Sequence, residues 1–95
     1  MLDYLRDRGI KAAVATATPT ERAKKMLERI GALTYFDTVI GGDMIFNGKP
    51  APDIYLLAAA ELGLPPERCA AFEDSPNGIR SAHSAGCHVI MIPDL

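Results

Sequence analysis

Short apolar runs alternate with helix-patterned stretches along the whole chain, and glycines stand at the joints; no other feature narrows the possible folds so far. Residues 2–8 read as a helix, with Leu2 and Leu5 on one face and Gly9 as its stop. Residues 10–17 (IKAAVATA) read as a strand from context, because alanine is a poor strand former and Val14 is the best β residue in the run. Thr18 then caps a helix, Pro19 takes its first position, and Glu21 lies three after the cap. Ala23, Met26, Leu27 and Ile30 follow at i, i+3, i+4, i+7 before Gly31 ends the run. Thr38-Val39-Ile40 is a short strand closed by Gly41-Gly42, and residues 43–50 are a loop with a turn at Asn47-Gly48. Pro52 begins a helix that runs to Gly63. Residues 69–73 (CAAFE) form a third strand, Ser75 and Pro76 cap and open a helix that Gly86 closes, and residues 88–92 (HVIMI) form the last strand. Strict alternation of this kind predicts an α/β fold, a parallel sheet with helices on its faces.

The chain has 95 residues, room for one small domain. Ten basic against twelve acidic residues leave a net charge of −2, which argues against a nucleic-acid module driven by a basic surface. No apolar run reaches the length of a membrane span, and the charged start MLDYLRDRG holds no signal-peptide core, so a cytoplasmic protein without a membrane partner is expected. Cys69 and Cys87 are too few for a disulfide scaffold and read as reduced thiols, Cys87 as buried filler. His83 and His88 have no metal-ligand spacing and read as packing or surface residues. Tyr35 and Phe36 are expected below the sheet, and Met44 and Phe46 as either a loop plug or a patch for a partner.

In an open parallel sheet the functional crevice lies at the carboxyl ends of the strands. The first strand ends in Thr16-Ala17-Thr18 and runs into a helix N-terminus, whose free N–H groups and dipole suit an anion such as phosphate. The bland alternative is that Thr16 ends a strand and Thr18 merely caps. After the second strand comes Gly48-Lys49-Pro50, where constrained backbone fixes a lysine that could neutralise phosphate; the alternative is a solvated surface lysine. The third strand ends in Glu73-Asp74-Ser75. Two carboxylates there repel unless a cation is present, and hard oxygen donors suit Mg²⁺; the alternative is that Asp74 caps the next helix while Glu73 faces water. Hydroxyl, lysine and acid pair, one after each strand in turn, make a phosphate-plus-metal constellation.

At these residues the sequence resembles the haloacid dehalogenase superfamily, in its branch of phosphatases and β-phosphoglucomutase-like enzymes. VATAT (14–18), GKPAPDIY (48–55) and FEDSPNGIRSAHSAG (72–86) look like that family's second, third and fourth motifs, in order and over essentially the whole chain. The resemblance implies a Rossmann-like three-layer sandwich. It implies that Thr16 and the Ala17 N–H bind the transferring phosphoryl group, that Thr18 touches substrate phosphate in some members, and that Lys49 bridges nucleophile and phosphate. It makes Asp74 the Mg²⁺ ligand and Glu73 a second ligand or a residue behind it. The implied reaction is phosphatase or phosphomutase chemistry on a small phosphorylated metabolite through an aspartyl-phosphate. The family's first motif is Asp-x-Asp, whose first aspartate is the nucleophile; no Asp-x-Asp occurs in these 95 residues, since Asp3 and Asp7 are four apart on the first helix. The cap domain that sets specificity has no counterpart either. Residues 1–95 are therefore expected to be the C-terminal part of such a core, four parallel strands without the motif-one strand, and inactive alone.

In the family's sheet the motif-one strand lies between the strands that end here in Thr16 and Glu73. Without it, either the gap closes into a four-stranded sheet of order 2-1-3-4, or the edges pair with another chain, as a homodimer or with a complementing N-terminal fragment. A self-assembling, non-catalytic α/β module is the alternative from another functional class. A phosphoacceptor receiver domain shares the topology, but its motif order does not fit, since here the hydroxyl comes first, the lysine second and the acid pair third.

Overall fold

The alternation read from the sequence is the architecture of the protein. A computed structural model describes residues 9–73 and 75–91. Its strands are β1 (Ala13–Ala15), β2 (Thr38–Ile40), β3 (Ala70–Glu73) and β4 (His88–Met91). Its α-helices are α1 (Thr20–Arg29), α2 (Asp53–Leu62) and α3 (Pro76–Ala85), with single 3₁₀ turns at Leu33–Tyr35, Gly42–Met44 and Pro66–Arg68. The helix expected over residues 2–8 lies outside the described residues.

The strands pair in parallel, but as two separate two-stranded sheets, β1 with β2 and β3 with β4. Val14 stands opposite Val39, and Phe72 opposite Ile90. The four-stranded order 2-1-3-4 is not adopted: no ladder joins β1 to β3 among the described residues. The parallel pattern explains what is left open. Thr16 N–H donates to the Ile40 carbonyl at 3.0 Å, and this register points the backbone groups of Ala13 and Ala15 away from β2. His88 N–H donates to the Cys69 carbonyl at 2.9 Å, which points those of Ala70 and Phe72 away from β4.

Helices α2 and α3 hold the two sheets together in place of a strand. Ile54 and Ala58 of α2 pack with Ile40 against Ala13 and Ala15 on one face of the first sheet. Ala82 and Ala85 of α3 pack with Ala71, Cys87 and Val89 on the second. Tyr55 of α2 belongs to both clusters, and Ser81 in α3 donates to the Ala51 carbonyl at 2.6 Å just before α2. Burying Ile40 and Ile54 completely contributes roughly 1.5–3 kcal/mol each, so these small clusters do carry stability. The opposite face of the second sheet is bare among the described residues: Phe72 is 47% and Ile90 45% exposed.

Two helix starts differ in kind. Ser75 caps α3 as expected, its hydroxyl accepting from Gly78 N–H at 3.1 Å with Pro76 in the first turn. Thr18 does not cap α1. That helix begins at Thr20, Pro19 occupies the cap position, and no side chain of the cap residue bonds to it. The reason is tertiary. The Asp43 carboxylate, from the turn after β2, accepts from the Thr20 N–H at 2.7 Å and from its hydroxyl at 2.6 Å. That turn can come so close because it is Gly41-Gly42: a Cβ on Gly41 would lie 2.3 Å from the Thr20 nitrogen, and one on Gly42 2.4 Å from the Ala17 oxygen. Of the predicted apolar stripe on α1, Ala23 is buried and Leu27 half-buried, but Met26 and Ile30 are exposed, because no described element covers that side.

Candidate functional site

The carboxyl ends of β1 and β3 meet at one side chain. Lys49, in the loop between β2 and α2, brings its ammonium to 2.7 Å from Glu73 Oε2 and 3.5 Å from the Ala15 carbonyl. The Ala15 oxygen belongs to the open edge of β1, so the lysine spans the gap between the two sheets. It is not the solvated surface lysine of the bland alternative, its side chain being only 20% exposed.

Glu73 does not face water either; its side chain is 8% exposed. Oε2 accepts from Lys49 and from the Tyr55 hydroxyl. Oε1 lies against the first turn of α3, where a Cβ on Gly78 would stand 2.0 Å from it. Glycine at position 78 is therefore what admits the carboxylate under the helix start. Tyr55 completes the cluster, with Lys49 Nζ 5.3 Å from the centre of its ring. Burial first, and then the adjoining carboxylate, push the Tyr55 phenol far above its ordinary value, so it stays protonated and donates. Tyr55 carried no chemical signal in the sequence, where it reads as one more apolar position of a helix.

Beside Lys49 the chain turns through Thr16, Ala17 and Thr18. The Thr16 hydroxyl accepts from Thr18 N–H at 3.2 Å, the Thr18 carbonyl accepts from Gly42 N–H at 3.0 Å, and the exposed Ala17 N–H donates to no described residue. The turn is thus fixed on both sides with one backbone donor at its tip. Asp43, which caps the helix that follows the turn, was missed in the sequence because its partner Thr20 is 23 positions away; two hydrogen bonds from Thr20 hold its carboxyl below the ordinary value of 3.8.

Asp74, the expected Mg²⁺ ligand, lies outside the described residues. Among the described residues no three His, Cys, Asp or Glu side chains gather as a metal cluster, and Glu73 Oε2 is already taken by two donors. Glu73 Oε2 is therefore committed to holding Lys49 and Tyr55. His83 and His88 are exposed, and both thiols are free, Cys87 buried and its thiol pushed up by that burial. Phe46 is fully exposed, and Met44 is 44% exposed. No helix among those residues is long and apolar enough to cross a membrane.

The family model for haloacid dehalogenase-like hydrolases matches residues 1–86. A phosphorylated carbohydrates phosphatase of Thermotoga maritima is 44% identical over 85 residues, 90% of this chain and 39% of that protein. Hexitol phosphatase A of Escherichia coli is 38% identical over 94 residues, 97% of this chain and 42% of that protein. Among solved structures, CbbY from Rhodobacter sphaeroides in complex with phosphate superposes with a TM-score of 0.91 at 41% identity, covering 99% of this chain and 43% of that one. The chain thus spans about two fifths of the length of the relatives it matches. With Lys49 and Glu73 paired where β1 and β3 end and the family matched over nearly the whole chain, it belongs to the haloacid dehalogenase-like hydrolases.

Proposed function

We propose that these residues form the phosphate-binding side of a Mg²⁺-dependent phosphatase or phosphomutase for a small phosphorylated metabolite, a sugar phosphate by analogy with the relatives. The observation that supports it best is Lys49, an ammonium held at the converging ends of β1 and β3 beside a turn whose Ala17 N–H donates to no described residue. Lys49, Ala17 N–H and the Thr16 and Thr18 hydroxyls would take up the phosphoryl oxygens, concentrating positive charge where negative charge develops. Asp74 would hold Mg²⁺, which when bound supplies further charge neutralisation at those oxygens. An aspartate nucleophile has no Asp-x-Asp to occupy here, so it would come from chain outside these 95 residues. The protein would work in the cytoplasm.

The test is Mg²⁺-dependent hydrolysis of an aryl phosphate by the 95-residue chain, shown folded by circular dichroism, together with binding of inorganic phosphate. The reading requires phosphate binding that Lys49→Met strongly weakens, without turnover. Turnover by the chain alone, or phosphate binding indifferent to Lys49→Met, would overturn it.

The open edges favour a second reading at the level of assembly: a strand from another chain, a complementing fragment or a second copy, pairs in the gap. Light scattering across a dilution series distinguishes the cases. A mass that falls on dilution supports self-pairing; a monomer at every concentration leaves only the complementing strand.

A further inference from the structure

We infer that Tyr55 is a positioning residue for Lys49, acting through the Glu73 carboxylate that both side chains share. The phosphate consequence of this inference rests on the function proposed above; the positioning itself does not.

An ammonium has three N–H donors and, on a four-carbon stem, little reason to stay in one place. Here one donor goes to Glu73 Oε2 and one to the Ala15 carbonyl, and the Tyr55 ring stands 5.3 Å away. The third donor has no described partner and is left for an oxygen arriving at the strand ends. What decides where the ammonium sits is therefore where Oε2 sits. Oε1 is confined by the helix start at Gly78, which limits how the carboxylate can turn. Oε2 is confined by the Tyr55 hydroxyl. Tyr55 is itself fixed, because its ring belongs to both apolar clusters and so follows neither sheet alone. Tyr55→Phe keeps the ring, its packing and its attraction for the cation, and removes only the hydroxyl that restrains Oε2.

The first measurement is the ¹H–¹⁵N spectrum of the side-chain ammonium groups in the 95-residue chain, with Lys49 assigned by Lys49→Met. A held ammonium exchanges its protons slowly enough to be seen. The expected result is a Lys49 signal in the parent chain that broadens away in Tyr55→Phe, while the melting temperature moves little. A signal unchanged in Tyr55→Phe, or no Lys49 signal in the parent, overturns the inference. The second measurement is inorganic phosphate affinity in a double-mutant cycle. Tyr55→Phe is expected to weaken it about threefold to tenfold in the parent and to have no effect in Lys49→Met. An equal loss in both backgrounds would mean Tyr55 acts structurally and overturns the inference. A parent chain that binds no phosphate would overturn the proposed function, and the ammonium spectrum would still decide the positioning.

Discussion

Asp43 and Glu73 are both acids near a strand end, and their surroundings give them opposite jobs. Asp43 is exposed and serves as a cap brought in from another loop. Its folded value lies below 3.8, so the sign follows: it contributes stability above 3.8, and the contribution is lost as pH falls below that point toward the folded value. Asp43→Asn, which still accepts hydrogen bonds but cannot titrate, should flatten the acid limb of a melting-temperature-versus-pH curve; Asp43→Ala should lower the curve at neutral pH as well. Glu73 is buried against Lys49, where losing one partner strands the other's charge. Glu73→Ala should cost roughly 3 kcal/mol, read by urea unfolding, and a loss below about 1 kcal/mol would mean the pair is solvated in solution. Thr16 and Glu73 were legible as candidates because they stand where strands end, and Lys49 because Gly48 and Pro50 constrain the backbone around it. Tyr55 and Asp43 were not, since a tyrosine in an apolar helix and an aspartate in a loop carry no mark of the partner that gives them meaning.

At the scale of elements, local signals were read well where they are self-contained. Ser75-Pro76 opens α3 and Gly86 closes it at φ 95°, because cap and stop act on their own neighbours. Ser75→Ala should therefore cost about 1 kcal/mol, measured by thermal unfolding. The start of α1 was misread, because Thr18, Pro19 and Glu21 match a local capping pattern while the structure uses Asp43 instead. Gly78 shows a glycine whose purpose is not conformational. It sits inside α3 only because the Glu73 carboxylate occupies the space a Cβ would take. Gly78→Ala, a substitution that would favour an isolated helix, should here destabilise by about 1–3 kcal/mol through overpacking and lose the slow-exchanging Lys49 ammonium signal. A stabilised Gly78→Ala variant would show that Glu73 can move aside freely.

For the whole molecule the governing fact is that two parallel pairs are joined by helices and side chains. Ile54 of α2 is fully buried where that joint begins, and Ile54→Ala should cost roughly 2–5 kcal/mol by cavity formation, read as a fall in the urea midpoint. The open backbone of Ala13, Ala15, Ala70 and Phe72, with the bare side chains of Phe72 and Ile90, should make these regions exchange their amide protons fastest of the strands. Addition of a strand that fills the gap should slow that exchange on both edges together; slowing on one edge alone would mean binding elsewhere.

The order of the described strands and α-helices and the α/β class were determined by the sequence alone. Periodicity, caps and glycine stops are short-range, and parallel topology follows from alternation. Only the tertiary structure decided that the strands form two sheets instead of one, that α1 is capped from a distant loop, and that Lys49 shares a carboxylate with Tyr55. Each of these depends on groups far apart in the chain meeting at hydrogen-bond distance, and no local pattern encodes which distant donor or edge will be close enough to pair.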